Sequence, residues 1–325
     1  MALLNVENLS IGYKTKKGLL KAVNNISFSI EQGRSLGFVG ESGCGKTTIG
    51  MTLMGLLPEN ATILQGDMHF NGSNLAGFDD KEWRSFRGKE ISMIFQAAMN
   101  ALNPVIRVDE QIIEAIVTHN PEMSKADIIE KVNNLFSMVD IPQDRLRDYP
   151  HQYSGGMKQR AIIAMALACN PRLIIADEPT TALDVIVQDQ ILKEIRKIQM
   201  DLNTSVIFIS HDIAVVANVC EDICVMYGGQ IVERGNREEV FKSPRHPYTK
   251  TLLASYLSMD SDKNIKVPEI QEAPNLITFT GYCSFAGSCN CKSKKCNDHS
   301  PGWVDLSPTH QAFCFEDILN KDNND

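Results

Sequence analysis

A chain of 325 residues suits one large α/β domain with an appendage, or two domains, and excludes a small disulfide scaffold. Hydrophobic residues at 43% and charged residues at 22% lie near globular averages, so neither wholesale disorder nor a fibrous repeat fits. Acidic residues number 40 against 32 basic ones, and the net charge of −8 argues against a basic nucleic-acid footprint. The longest apolar run, Ala161 to Cys169, falls far short of the roughly 20 residues a membrane helix needs. The first residues lack a basic stretch and an apolar core, so no secretory signal is expected and the chain is expected in the cytosol. Of the 9 cysteines, Cys44, Cys169, Cys220 and Cys224 are scattered, while Cys283, Cys289, Cys291, Cys296 and Cys314 crowd the tail. In a reducing compartment such a crowd reads as metal ligation before disulfides.

In chain order, Ile26-Ser27-Phe28-Ser29-Ile30 alternates apolar and polar residues and predicts a half-buried, antiparallel strand. Leu36-Gly37-Phe38-Val39 predicts a short buried strand, followed by a Gly-rich loop and a helix from Thr47 to Pro58. Apolar residues at helical spacing from about Val105 to Asp140 predict a helical insertion. A helix is predicted from Ser154 to Asn170-Pro171, a buried strand over Leu173–Ala176, a helix over about Val185–Leu202 and a strand over Ser205–Ser210. Strands alternating with helices imply a mainly parallel sheet covered on both faces. After Gly235 the character changes, and residues 260–325 read as a polar, Cys-rich appendage.

Gly40-Glu41-Ser42-Gly43-Cys44-Gly45-Lys46-Thr47 matches the P-loop pattern in the context it requires, after a strand and before a helix. Its glycines let backbone N–H groups face phosphates, the helix N-terminus adds positive potential, Lys46 neutralises β and γ oxygens, and Thr47 can hold Mg²⁺. Cys44 reads as a small loop-filling residue without redox duty. Leu173-Ile174-Ile175-Ala176-Asp177-Glu178 is an apolar strand ending in two carboxylates. Beside a P-loop this places Asp177 to hold the Mg²⁺ shell and Glu178 to polarise an attacking water; by itself it reads equally as acids capping the next helix.

Taken in order, Tyr13, the P-loop, Gln96, Tyr153-Ser154-Gly155-Gly156-Met157, Asp177-Glu178, Asp184 and His211 resemble the ATPase subunits of ABC transporters over residues 3 to 260. The resemblance implies a P-loop NTPase (RecA-like) core within an α/β cassette at 1–259, with an antiparallel β subdomain and an α-helical subdomain inserted at about 97–158. It implies that Tyr13 stacks on adenine and that Gly40 to Thr48 surround the phosphates of ATP. Gln96 is implied to sense Mg²⁺ and link the site to a membrane partner. The Ser154-Gly155-Gly156 signature, opening a helix, is implied to hold the γ-phosphate bound by the opposite subunit, Asp184 to meet that subunit, and His211 to contact the γ-phosphate. Taken alone, Tyr13, Ser154 and His211 each read as structural residues. With one P-loop and one signature per chain, two such chains are implied to sandwich two nucleotides.

Local features resemble the subgroup serving dipeptide and oligopeptide importers: Val39 through Lys46, Met99 through Leu102-Asn103-Pro104, Ser154 through Arg160 with Met157, and His246-Pro247-Tyr248-Thr249. The stretch Gln96 to Val105 is closer to the first of the two ATPases such systems usually carry, although Ala97 stands where many relatives have Asp. The tail, 260–325, matches that subgroup's C-terminal region. There the resemblance implies a [4Fe–4S] cluster on Cys283, Cys289, Cys296 and Cys314, for which spacing alone leaves zinc, free thiols or disulfides open. Cys291 is extra to the pattern, and His299 and His310 read as surface residues. The implied partners are a second homologous ATPase, two transmembrane permeases and, indirectly, an extracytoplasmic peptide-binding protein, with the chain on the cytoplasmic face of the membrane and no nucleic acid. A nickel-chelate or glutathione-like cargo, or a soluble regulatory ATPase, are the alternative functions.

Overall fold

The computed structural model describes residues 2–96, 101–181, 183–260, 274–279 and 282–319. The motif residues Ala97–Asn100 and Ala182, and much of 260–325, lie outside that set. In chain order the elements are strands β1 Ala2–Thr15, β2 Gly18–Glu31 and β3 Ser35–Val39, then helix α1 Lys46–Leu53. Strands β4 Ala61–Phe70 and β5 Ser73–Asn74, helix α2 Asp80–Phe86 and strand β6 Ile91–Ile94 follow. Helices α3 Val108–His119, α4 Lys125–Met138 and α5 Gly155–Leu167 lead to strand β7 Leu173–Asp177, helix α6 Val185–Leu202 and strand β8 Ser205–Ser210. Helix α7 Ile213–Val219, strands β9 Asp222–Tyr227 and β10 Gln230–Asn236, and helices α8 Arg237–Lys242 and α9 Pro247–Asp260 come next. The tail holds α10 Lys295–Asp298, β11 Gly302–Asp305, β12 Gln311–Cys314 and α11 Glu316–Leu319. No described helix is long and apolar enough to cross a membrane.

The helix α1 is shorter than its sequence predicts. Leu56 N–H bonds the Met51 carbonyl at 2.8 Å and Gly55 N–H bonds that of Thr52 at 2.9 Å, a reversed C-terminal turn that stops the helix before Pro58. The helical insertion expected from about Val105 to Asp140 holds two helices, separated at Asn120-Pro121, where proline forbids continuation and Ser124 caps α4 by accepting from Asp127 N–H.

The chain forms two compact units, one of Ile30–Ser35 and Gly77–Phe208 with the first residues, the other of Leu4–Ser29, Leu36–Ala76 and Ile209 onward. In the first, strands run in the order β8-β7-β6, and β6 and β7 pair in parallel from Ile91↔Leu173 to Ile94↔Ala176. Every residue of β6 and β7 is buried, as unbroken apolar runs require of strands covered on both faces. Helices α3, α4 and α5 pack on one another. Helix α6 turns Ile191, Leu192, Ile195 and Ile198 inward at three-to-four spacing.

In the second unit, β2-β1-β4-β5 form a sheet in which β1 and β4, and β4 and β5, are antiparallel. A second run, β11-β12-β10-β9-β3, pairs β3 with β9 in parallel and continues antiparallel into the tail. The tail hairpin therefore extends a strand of the preceding fold, with Glu233 opposite Ala312 and Arg234 opposite Gln311. The fully buried Glu233 seals this junction by accepting from Arg245 N–H at 2.8 Å, His246 N–H at 2.9 Å and His310 Nε2 at 2.7 Å. His310 is 4% exposed, so the expectation of a surface residue is corrected: the carboxylate, which only accepts, draws the imidazole N–H into the interior.

Next to this network lies His246, 2% exposed, whose Nδ1 accepts from Tyr248 N–H at 3.1 Å. Burial pushes its imidazole down to about 4, against the opposing pull of Glu233. Between that value and the ordinary 6.5 the unfolded chain binds the extra proton, so stability is lost as pH falls through this window. Folding free energy is expected to drop by about 2 kcal/mol from this group between pH 6.5 and 5. Urea denaturation at the two pH values measures it, and a His246→Gln chain should lack that part of the slope; an equal slope in both chains would exclude His246 as its source.

Candidate nucleotide site and thiol-rich region

Within the second unit, Gly40 to Thr48 run from the end of β3 into α1. Gly45 sits at φ +104, where a Cβ would collide with the Ala22 carbonyl, so the loop is built for glycine there. Lys46 is 5% exposed, and its ammonium donates to the carbonyls of Gly40 at 2.7 Å and Glu41 at 2.8 Å. These bonds hold a positive charge at the mouth of the loop, while Ser42, Gly43 and Thr47 remain exposed along its rim. The Tyr13 hydroxyl lies 3.2 Å from Thr48 Oγ1, which brings the proposed adenine platform to the first turn of α1. Burial raises the Cys44 thiol above its ordinary range although Lys46 opposes it, so the thiol stays protonated and agrees with a filler role. His211 follows β8 and is exposed, and the next residue, Asp212, caps α7 by accepting from Ala214 N–H at 2.8 Å.

Within the first unit, Asp177 ends β7 at 1% exposure and Glu178 follows at φ +47. A non-glycine residue in the left-handed region costs about 1 kcal/mol or more and is concentrated at functional sites. The turn is held by Thr181 N–H on the Glu178 carbonyl at 3.2 Å. The carboxylate accepts from Gln96 Nε2 at 2.9 Å and Thr181 Oγ1 at 3.0 Å, both on Oε2. Gln96 and Glu178, 82 positions apart, are thus brought together, and Thr181 is a partner that sequence inspection did not single out. Ser154 and Asp184 are both exposed helix N-caps: Ser154 Oγ accepts from Met157 N–H at 3.2 Å, and Asp184 Oδ1 from Val187 N–H at 3.0 Å. Gly155 and Gly156 form the first turn of α5, so its N-terminal dipole points where Ser154 stands. The oxygen donors of Thr47, Gln96 and Asp177 are of the hard type that suits Mg²⁺.

In the tail, Cys296 and Cys314 belong to a buried cluster with Ala312, Ile318 and Leu319, against which Cys283 and Cys291 pack. Burial first, and the neighbouring cysteines after it, raise the Cys314 thiol to about 12 and the Cys289 thiol to about 11. The donor chemistry is that of a thiolate-bound metal, but among the described residues no group of three or more His, Cys, Asp or Glu side chains is arranged to hold a metal ion. The expected [4Fe–4S] or zinc site is therefore represented by its gathered thiols and not by a closed ligand set. His299 is exposed, as expected.

Comparison with known proteins places these features in a family. Residues 23–181 match the family described as ABC transporter, and residues 232–296 that described as oligopeptide/dipeptide transporter, C-terminal region. The chain is 44% identical over 317 residues to the dipeptide transport ATP-binding protein DppD of Lactococcus lactis, covering 95% of this chain and 89% of that one. It is 40% identical over 319 residues to the oligopeptide transport ATP-binding protein OppD of Escherichia coli, covering 98% and 94%. Among solved structures, the dimeric post-hydrolysis state of the ATP-binding cassette MJ0796 bound to ADP and Pi aligns with a TM-score of 0.65 at 26% identity, over 72% of this chain and 98% of that one. The cbiO1 protein of Clostridium perfringens aligns with a TM-score of 0.66 at 26% identity, over 79% and 95%.

Proposed function

The chain belongs to the ATP-binding subunits of ABC transporters, and from that premise we propose that it binds and hydrolyses ATP to power import of dipeptides or oligopeptides. The observation that carries the chemistry is the Glu178 carboxylate, fixed by Gln96 and Thr181 at the end of a buried strand. Backbone N–H groups of Gly40 to Thr48 and the Lys46 ammonium bind the phosphates, Tyr13 carries the base, and His211 contacts the γ-phosphate. Glu178 orients a water in line with the γ-phosphorus and takes its proton as the P–O bond to the β-phosphate breaks. Mg²⁺, held by Thr47, Gln96 and Asp177, would neutralise charge developing on the phosphates.

Ser154 and Asp184 serve a second protomer, so that each nucleotide is clamped between two ATPases. The exposure of Val185 at 80% and Ile186 at 73%, beside exposed Asp184, supports a face that a partner covers. The partner is a homologous ATPase, and the pair sits peripherally on the cytoplasmic side of two permeases that receive peptide from a binding protein. The test is reconstitution of the complex in vesicles. Peptide-loaded binding protein is expected to stimulate ATP hydrolysis several-fold and to drive peptide uptake; hydrolysis indifferent to peptide and permeases would overturn the transport role.

The thiols of Cys283, Cys289, Cys296 and Cys314 are read as ligands of a structural [4Fe–4S] cluster, supported by Cys296 and Cys314 sharing one apolar core against which Cys283 packs. A cluster would have to draw them into a tighter set. Anaerobically purified full-length protein is expected to carry about four irons and four sulfides per chain, the cluster's stoichiometry, and to lose them in Cys283→Ser and Cys296→Ser. Stoichiometric zinc, or no metal, would overturn this reading.

A further inference from the structure

The P-loop is held from behind by aromatic residues, one of which comes from the Cys-rich tail. Glu41 N–H, the second amide of the loop, donates to the Tyr248 hydroxyl at 3.1 Å. Tyr248 is fully buried in the first turn of α9, 207 positions away. Its ring lies 4.6 Å between centroids from Tyr227 and 5.4 Å from Phe285, and Tyr227 and Phe285 meet edge to face at 5.2 Å. Phe285 is 2% exposed and follows Cys283 by two residues. The strand that carries Tyr227 reaches the loop as well, since the Met226 carbonyl lies directly against Gly40.

The loop's phosphate-binding amides act only when held in one orientation, and the amide of Glu41 is committed to Tyr248. Losing the hydroxyl leaves a half-buried N–H without its acceptor, which favours a rotation of the loop that satisfies it elsewhere. The ring cannot follow such a rotation while Tyr227 and Phe285 clamp it, because interlocked buried aromatics have one packing. The tail thus contributes a wedge, Phe285, to the support of a loop whose sequence lies near the other end of the chain.

We propose that Tyr248 is a positioning residue for the phosphate-binding loop and that Phe285, in the Cys-rich tail, locks it in place, so that the tail sets the affinity of the chain for ATP. The proposal rests on the P-loop being the ATP site. It makes the tail an allosteric support whose packing is read out as nucleotide affinity.

The experiment uses the full-length chain and its assembled complex. Tyr248→Phe keeps the ring and removes the hydroxyl. Phe285→Leu keeps an apolar side chain and removes the edge-to-face contacts. Phe313→Leu, in the tail hairpin against Trp303, is the control. Kd for a fluorescent ATP analogue, KM and kcat of the complex, melting temperature, and amide exchange of the 40–47 peptide are measured.

Tyr248→Phe is expected to raise Kd and KM about 3- to 10-fold, the range of one hydrogen bond, with kcat at saturation unchanged and faster exchange in 40–47. Phe285→Leu should do the same, and the double variant should be no worse than the more affected single one, because both act through one loop. Phe313→Leu should leave Kd unaltered. Wild-type Kd in Tyr248→Phe, or equal loss of affinity in Phe285→Leu and Phe313→Leu, overturns the proposal. Wild-type protein that binds no ATP, or a Lys46→Ala chain that binds it normally, overturns instead the assignment of the P-loop as the ATP site.

Discussion

Replacing Glu178 with Gln is expected to leave ATP affinity within a few-fold of wild type and to lower steady-state hydrolysis by about a hundred-fold or more, the contribution of a positioned general base. The substitution is clean because of how the carboxylate is held. Gln96 and Thr181 both donate to Oε2, so a glutamine whose amide oxygen takes that place keeps both bonds. The other oxygen becomes an NH₂ group that cannot accept a proton from water. The backbone at φ +47 is retained, since Gln has the same Cβ geometry as Glu. Equilibrium binding of Mg·ATP and phosphate release, both measured in the assembled complex, separate the two effects. Hydrolysis within a few-fold of wild type would place the base elsewhere, and lost binding would show that Glu178 holds the nucleotide site together instead of acting on water.

What the sequence made legible were elements whose causes are local. Helix α6 and strand β8 fall on their expected residues, because the apolar spacing of α6 and the six-residue buried run of β8 suffice to specify them. The P-loop stands between β3 and α1, as its pattern demands. Ser154 and Asp184 are caps, the structural role that a lone polar residue before an apolar run suggests, and capping leaves them exposed for a second role. The features that escaped depend on distant partners. Nothing around His310 signals burial, since Glu233 lies 77 positions away, and nothing around Tyr248 points to Glu41. The end of α1 was missed for a different reason: Gly55 ends it through a backbone turn, and the proline three residues on is the louder but later signal.

Removing the charge of Glu233 is expected to have the largest effect on stability. Its two oxygens meet three N–H donors in a fully buried position: the amides of Arg245 and His246, just before α9, and the ring of His310. The carboxylate therefore satisfies helix-terminal amides, stands at the positive end of the α9 dipole and anchors the tail hairpin at once. Glu233→Gln cannot substitute for it, because its NH₂ group must face one of those donors. Leaving a buried donor facing an NH₂ group and losing hydrogen bonds to a carboxylate costs about 3 kcal/mol, so the melting temperature should fall by roughly 5 °C or more. Because Tyr248 occupies the turn of α9 that Glu233 anchors, the surviving folded protein should also bind ATP more weakly, whereas His310→Gln, which keeps a donor side chain and spares both α9 amides, should be milder on both counts. Calorimetry and nucleotide titration of the three proteins decide it. A Glu233→Gln chain that melts with the wild type would mean that water or a shifted backbone replaces the carboxylate, and that the junction between α9 and the hairpin does not depend on this charge.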